Sequence, residues 1–236
     1  GRNKFLSLMI ILSIFFTSTG LILHQTEGFS KSFYGSSNYG SGNVWRNYNE
    51  KVFYDYGEKT FDNSTRIKVL VVGSSYARDF INALTEVGVS GEVDLVYRHQ
   101  NKISRCDLAN KNADNDLINR AEVVIFGFAA LNECSRAAFD NLKSRGKIVY
   151  YASYKNFGYN LGWVRLELLL NGDLVSPYSK RLDAEILANS EIRKIFSESE
   201  LIDIQQVFAG TDDSLVRIAD SKNRLLSVDR THLTEP

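Results

Sequence analysis

Short apolar runs alternate with segments of helical period along the middle of the chain, and this alternation restricts the fold more than any other feature. The first run, Ile67–Val72, closes at Gly73 and precedes a helical period of apolar residues that extends to Val87. Further strands are predicted at Val93–Tyr97, Glu122–Phe126 and Lys147–Tyr151, and helices at Asp116–Ala121, Arg136–Ser144, Leu182–Phe196 and Glu198–Val207. Apolar strands separated by helices indicate a parallel sheet covered on both faces, so the predicted class is α/β.

An uncharged apolar segment lies near the start of the chain. Phe5–Leu23 runs for about 19 residues without a charged side chain, the length that crosses a bilayer as a helix. A cleaved signal peptide is the competing interpretation, but its apolar region is shorter and ends in a small-residue cleavage site. We therefore predict a transmembrane helix within residues 1–25, as the last span of a longer membrane domain. Arg2 and Lys4 precede it and favour an extracytoplasmic location for the residues after the span.

Residues 26–65 form an extension rich in Gly, Ser, Asn and Tyr, without a sustained helical or strand period. We expect an extended spacer, part of which lies against the domain or the membrane surface because it carries many aromatic side chains. The main domain is predicted to occupy residues 66–236. Lysine and arginine together number 28, as do aspartate and glutamate, so the charge balance argues against nucleic acid as a partner.

The two cysteines, Cys106 and Cys134, leave two alternatives open. In an oxidising compartment the pair can close as a disulfide. The other alternative is two unpaired buried thiols. Neither their spacing nor their surroundings resemble a metal site.

The turn after the first predicted strand, Gly73–Tyr76, falls where the active sites of parallel α/β sheets collect. A serine at such a turn displays its hydroxyl at the sheet edge, and the N-terminus of the next helix stabilises an oxyanion beside it. Ser75 is therefore a candidate nucleophile. An ordinary helix N-cap at Ser74 or Ser75 is the alternative explanation of the same residues.

A serine nucleophile requires a base, and the chain contains three histidines. His24 lies at the predicted membrane boundary, His99 follows the second predicted strand, and His232 follows Asp229 by three positions. In a turn, that spacing brings the carboxylate to the imidazole, where it fixes the tautomer and stabilises the imidazolium. We therefore predict that Ser75, His232 and Asp229 are the catalytic residues. A surface Asp and His in a polar loop, and His99 as the neighbour of Ser75, are the alternatives.

The blocks Gly73–Tyr76 and Asp229–Thr234 together resemble the SGNH family of esterases and acyltransferases in residue type, order and separation. The resemblance implies a flavodoxin-like three-layer α/β/α fold with a mainly parallel sheet. Ser75 takes the nucleophile position, whereas Ser74 stands where the family usually has aspartate. The family completes its oxyanion hole with a glycine after the second strand and an asparagine after the third. Asn132 is the candidate for the asparagine, and no glycine follows the second predicted strand directly.

The span, extension and domain together resemble the C-terminal part of fused acyltransferase-three proteins, which modify surface polysaccharides. This resemblance implies an inner-membrane O-acetyltransferase whose catalytic domain faces the periplasm and uses a carbohydrate acceptor. An upstream membrane acyltransferase domain would be its partner, with acetyl-CoA as the ultimate acetyl donor and with no bound cofactor or metal. A closing helix would be expected beyond Pro236. An exported SGNH esterase and a catalytically silent carbohydrate-binding module are the alternatives.

Overall fold

A computed structural model describes residues 13, 15–22, 44–110, 116–158, 161–210, 212, 214–227 and 230–234. The chain divides into two compact units, Gly1–Val44 with Gly162–Leu174 and Trp45–Leu161 with Val175–Pro236. The second of these is called the larger unit below, and it contains every strand that the structure describes.

The described elements alternate between strand and helix along most of the chain. The strands are β1 (Lys68–Gly73), β2 (Asp94–His99), β3 (Val123–Gly127), β4 (Ile148–Ala152), β5 (Tyr178–Lys180), β6 (Leu201–Ile202) and β7 (Leu215–Arg217). The helices are α1 (Val44–Val52), α2 (Ser75–Glu86), α3 (Arg105–Ala109), α4 (Asp116–Arg120), α5 (Ser135–Ser144), α6 (Leu161–Asn171), α7 (Asp183–Ile195) and α8 (Ile204–Val207). A π-helical turn occupies Phe53–Gly57, and 3₁₀ turns occupy Val89–Gly91 and Glu198–Glu200.

Five strands of the larger unit form one sheet in the order β2-β1-β3-β4-β6, and every pairing in it is parallel. The strands β5 and β7 pair antiparallel in a separate two-stranded sheet. The predicted α/β class with a mainly parallel sheet is thereby confirmed. Since β2 lies on one side of β1 and β3 on the other, the strand order reverses at β1. In doubly wound sheets ligands bind at such a point, beyond the carboxyl ends of the strands.

Apolar residues cover both faces of this sheet because successive side chains of a strand point to opposite faces. Leu70 of β1 belongs to a buried cluster that includes Phe139 of α5 and residues of α3, α4 and α7. Val71, on the other face, is clustered with Ile81 of α2 and Val52 of α1. The helix that begins at the end of β1 is therefore packed by its apolar side onto the strand that precedes it.

Two glycines at the carboxyl ends of β1 and β3 allow α2 to approach the sheet closely. A Cβ atom on Gly73 would lie 2.0 Å from the carbonyl oxygen of Gly127. A Cβ atom on Gly127 would lie 2.6 Å from the Cα of Ala77 in α2. The Ser74 N–H also donates to the Gly127 carbonyl at 3.0 Å. The strand ends and the first turn of α2 therefore meet through backbone atoms, with no room for a side chain between them.

The predicted extension is partly helical, contrary to the expected spacer. Its last part contains α1 and the π-helical turn Phe53–Gly57, and residues from 45 onward belong to the larger unit. Tyr48 and Val52 are buried, and the Asn82 side chain of α2 donates to the Tyr48 carbonyl at 3.0 Å. These contacts with α2 stabilise a helix that the local sequence does not indicate. Residues 26–43 of the extension lie outside the described residues.

The helix predicted over Glu198–Val207 is wrong in its first half. A capping box closes the 3₁₀ turn, with the Ser197 N–H donating to the Glu200 carboxylate at 3.1 Å. The next two residues form β6, because Leu201 pairs with the edge of β4. A helix begins again only at α8, where the Asp203 side chain accepts the Gln206 N–H. Pairing with the sheet edge thus overrides the helical pattern of this segment.

Part of the predicted transmembrane segment is described. Residues 15–22 are helical, and the rings of Phe15 and Phe16 are 5.7 Å apart. Apart from these residues and Ser13, the segment Phe5–Leu23 lies outside the described residues. Among the helices of the described ranges, none combines the length and the apolar character needed to cross a membrane. The transmembrane helix within residues 1–25 stays a prediction.

Candidate active site

Ser75 is the first residue of α2 and directly follows the turn after β1, at the point where the strand order reverses. It is half-buried, and its carbonyl accepts a hydrogen bond from the Asn49 side chain at 3.2 Å. No hydrogen bond joins its hydroxyl to another described residue. A helix of 12 residues places its free N–H groups and partial positive charge at this end. An oxyanion beside Ser75 would therefore be stabilised.

Ser74 does not act as the ordinary helix cap that the sequence left open. Its hydroxyl oxygen is buried without a hydrogen-bond partner in the described part of the chain, so it accepts no N–H of the first turn of α2. The backbone carbonyl of Ser74 instead accepts the Ala77 N–H at 3.1 Å. The hydrogen bond that defines a serine N-cap is thus missing at this position.

The segment that carries His232 contacts α2, although the two are far apart in the sequence. The Leu233 N–H donates to the Asp79 carboxylate at 3.2 Å, across a separation of 154 residues. Asp79 lies about one helical turn after Ser75 in α2. The structure therefore brings the C-terminal histidine segment to the helix that begins with the predicted nucleophile.

The imidazole of His232 is half-buried, and its Nδ1 lies 3.1 Å from the Thr231 hydroxyl oxygen. The predicted partner of this ring, Asp229, lies outside the described residues. An isolated antiparallel bridge between Ser227 and Leu233 closes the loop around them. The grouping of Ser75, His232 and Asp229 as catalytic residues accordingly stays a prediction. What the structure adds is that Ser75 begins the helix whose Asp79 binds the residue after His232.

A buried ion pair lies between α2 and the histidine segment, and sequence analysis did not single it out. The Lys155 Nζ is 2.6 Å from the Asp79 carboxylate, and the two side chains are 2% and 0% exposed. Lys155 also donates to the Thr231 carbonyl and lies 4.4 Å from the centre of the Tyr76 ring. The Asn49 side chain donates to the other Asp79 oxygen at 2.6 Å. Each charge is therefore paired and further hydrogen-bonded.

His99 lies at the same sheet edge, on the β2 side of α2. It pairs in register with Gly73, and its ring centre is 5.6 Å from that of Phe53. Burial lowers the pKa of His99, and the charge of Arg78 lowers it further. A base in a serine triad must form a cation that its surroundings stabilise. Because Arg78 opposes that cation, the surroundings of His99 disfavour the role of base.

Asn132, the candidate oxyanion donor, closes a turn before α5. Its side-chain oxygen accepts the Cys134 N–H at 3.2 Å and the Ser135 hydroxyl at 3.0 Å. Its side chain is exposed. These bonds occupy the amide oxygen and account for the asparagine structurally, while the oxyanion role stays a prediction.

Cys106 and Cys134 form a disulfide, which decides between the two alternatives left open by the sequence. The bond joins α3, which follows β2, to the start of α5, which follows β3. It therefore links the segments that follow the carboxyl ends of β2 and β3. Glu133 lies close to both sulfur atoms, but bonded sulfurs are not thiolates, so this grouping does not offer the ligands of a metal site.

A buried polar cluster lies beyond Tyr76, on the side of α2 that faces Lys155. The rings of Tyr76 and Tyr154 are 5.2 Å apart, and burial raises the pKa of Tyr76, as does its hydrogen bond with Tyr154. Burial also raises the pKa of Glu185 to about 7, against the opposing charge of Arg181. The Gln205 side chain donates to Glu185 at 2.8 Å. Glu185 therefore titrates near neutral pH inside the fold.

Comparisons with known proteins leave the site to be interpreted from its own geometry. No protein-family model matches the chain, and a search among curated proteins finds no match either.

Proposed function

We propose that the larger unit is a serine acyltransferase in which Ser75 is the nucleophile and His232 is the base. The observation that carries this proposal is the contact of Leu233 with Asp79, which attaches the histidine segment to the helix that begins at Ser75. A nucleophile and a base so far apart in sequence have no local reason to share a site. The Ser75 hydroxyl lies at a helix N-terminus and has no hydrogen bond to another described residue, which adds to this support.

In the proposed reaction, His232 takes the Ser75 proton while the serine oxygen attacks the carbonyl carbon of an acyl donor. The negative charge that forms on the carbonyl oxygen is stabilised by the partial positive charge at the N-terminus of α2. The donor's leaving group then takes the proton from His232, and an acyl-serine remains. An acceptor hydroxyl gives its proton to His232, attacks the acyl-serine and releases Ser75, which regains the proton. Asp229, which precedes His232 by three residues, orients the imidazole in both steps.

The resemblance to fused acyltransferase-three proteins supports an acetyl group as the cargo and a sugar hydroxyl of a cell-surface polysaccharide as the acceptor. On the same basis, residues 1–25 anchor the chain in the inner membrane, with the larger unit in the periplasm. The upstream membrane domain would deliver acetyl groups that derive from acetyl-CoA. The Cys106–Cys134 disulfide supports this location, since such bonds persist in oxidising compartments.

The test is labelling with a serine-directed phosphonate, followed by peptide mapping. Wild-type protein should be labelled at Ser75, and the Ser75→Ala variant should fold but lose labelling. His232→Ala should slow labelling by about 10⁴-fold or more, because members of a triad act as a unit. His99→Ala is the matched control and should keep most of the wild-type rate. Loss of labelling in His99→Ala with retention in His232→Ala would refute the assignment of the base.

The fate of the acyl group separates the transferase from its alternatives. An activated acetyl ester is supplied with and without a polysaccharide acceptor, and both free acetate and acetylated sugar are measured. Acetylated sugar supports the transferase, whereas acetate alone indicates the esterase alternative. If Ser75 is not labelled and neither product forms, the acyl-transfer proposal is refuted in favour of a silent carbohydrate-binding module.

A further inference from the structure

The two peptide groups on either side of His232 are both bound by the buried ion pair. The carbonyl of Thr231, which begins the peptide group before His232, accepts from the Lys155 ammonium. The N–H of Leu233, which ends the peptide group after it, donates to the Asp79 carboxylate at 3.2 Å. The Lys155 ammonium and the Asp79 carboxylate thus hold the backbone on both sides of His232.

An isolated antiparallel bridge joins Leu233 to Ser227, and further backbone hydrogen bonds attach the described part of this loop. The Phe157 N–H donates to the Arg230 carbonyl at 2.8 Å, and the Thr234 N–H donates to the Leu226 carbonyl at 3.0 Å. These bonds lie before and after the peptide groups of His232. Removal of the ion pair should loosen the two peptide groups of His232, while these bonds hold the neighbouring residues.

Stability alone does not account for burying these charges. The transfer of an ammonium and a carboxylate out of water is costly, and hydrophobic pairs of similar volume often replace buried ion pairs without loss of stability. Here Asp79 accepts from Lys155, Asn49 and Leu233, and Lys155 also binds the Thr231 carbonyl. Two of these bonds, those with Leu233 and Thr231, hold the segment that carries His232. The arrangement therefore provides geometry that an apolar pair would not.

We propose that Asp79 and Lys155 are positioning residues that fix the backbone of His232 against the helix beginning at Ser75. This inference rests on the proposed function. Asp79 is on α2 itself, so the loop is aligned with the same rigid element that carries the nucleophile. A displacement of about 1 Å between reacting groups costs roughly 100-fold in rate. The ion pair thus sets the efficiency of proton transfer without touching the substrate.

The test uses the full chain with Asp79→Leu and Lys155→Met combined, which removes both charges and leaves neither one buried alone. We expect this variant to fold with cooperative unfolding and to exchange the Leu233 amide hydrogen faster than wild type. The limiting rate of phosphonate labelling should fall by about 100-fold. The phosphonate concentration for half-maximal rate should stay close to that of wild type, because binding does not involve the pair. Glu191→Leu with Lys194→Met removes an exposed ion pair of α7 and is the matched control.

Labelling at the wild-type rate in the double variant would overturn the inference, and so would slow labelling with unchanged exchange of the Leu233 amide. If the double variant does not fold, the single variants Lys155→Arg and Lys155→Met decide. Arg keeps the charge and should retain more of the rate than Met, and equal losses would overturn the inference. If the wild type is not labelled at Ser75, the proposed function fails. Amide exchange at Leu233 then still tests whether the ion pair fixes the loop.

Discussion

A methyl group added at Gly127 should move the proposed nucleophile. In Gly127→Ala the new Cβ would lie 2.6 Å from the Cα and 2.8 Å from the backbone nitrogen of Ala77. Carbon atoms in contact are about 3.5–4.0 Å apart, so α2 must shift by about 1 Å. Overpacking of this kind costs about 1–3 kcal/mol of unfolding free energy. Because Ala77 lies two residues after Ser75, the same shift should slow acylation of the serine by roughly 100-fold.

The assay combines urea unfolding with phosphonate labelling of Ser75. Gly91→Ala is the control, because a Cβ there has no atom within 4 Å, and its unfolding free energy should change by about 0.5 kcal/mol or less. Removing the Ala77 methyl as well, in Gly127→Ala/Ala77→Gly, should rescue little, since the clash also involves backbone atoms. If Gly127→Ala is as stable as the control and reacts at the wild-type rate, the close packing of α2 on the strand ends is refuted.

Two further predictions concern stability. Replacing Cys106 and Cys134 by Ala should lower the unfolding free energy by about 3.5 kcal/mol, because the bond closes a loop across a separation of 28 residues. Equal urea midpoints for wild type and variant would contradict this prediction. The pKa of Glu185 is raised from its ordinary 4.5 to about 7 in the folded state, so its contribution to stability is complete below pH 4.5 and is lost as the pH rises to about 7. Glu185→Gln should therefore lose less stability than wild type between pH 5 and pH 8 in urea unfolding, and an identical loss would show that Glu185 does not titrate in this range.

The strands β1 to β4 of the central sheet were predictable because each corresponds to a short apolar run in the sequence. The run Ile67–Val72 and the three later apolar runs each coincide with a strand, within one or two residues at each end. The turn at Gly73 also fell at the carboxyl edge of the sheet, as parallel order requires. By contrast, α1 owes its helix to burial against α2, and α6 was not predicted at all, since its apolar residues lack a marked helical period.

The candidate site was predictable only in part. The turn and the Asp-x-x-His spacing indicated Ser75 and His232 as candidates, and their catalytic roles stay predictions. The partnership of Asp79 with Lys155 spans 76 residues and has no local pattern. One signal did exist, because Lys155 is the single charged residue between Lys147 and Arg165, just after the apolar run that became β4. A lone charge at the carboxyl end of a buried strand is costly unless it has a partner, so it indicates a polar site.

The contact between Leu233 and Asp79 also bears on when the site forms during folding. Contacts between residues far apart in sequence require closure of long loops, so they form more slowly than local ones. The strands β1 to β4 and their helices can pair before residues 231–233 have left the ribosome, since domains fold from the N-terminal side during synthesis. At that stage Asp79 and Lys155 already face each other, and Ser75 already begins its helix. A chain in this state carries the proposed nucleophile without the proposed base, and the proposed site is complete only when residues 231–233 join the fold.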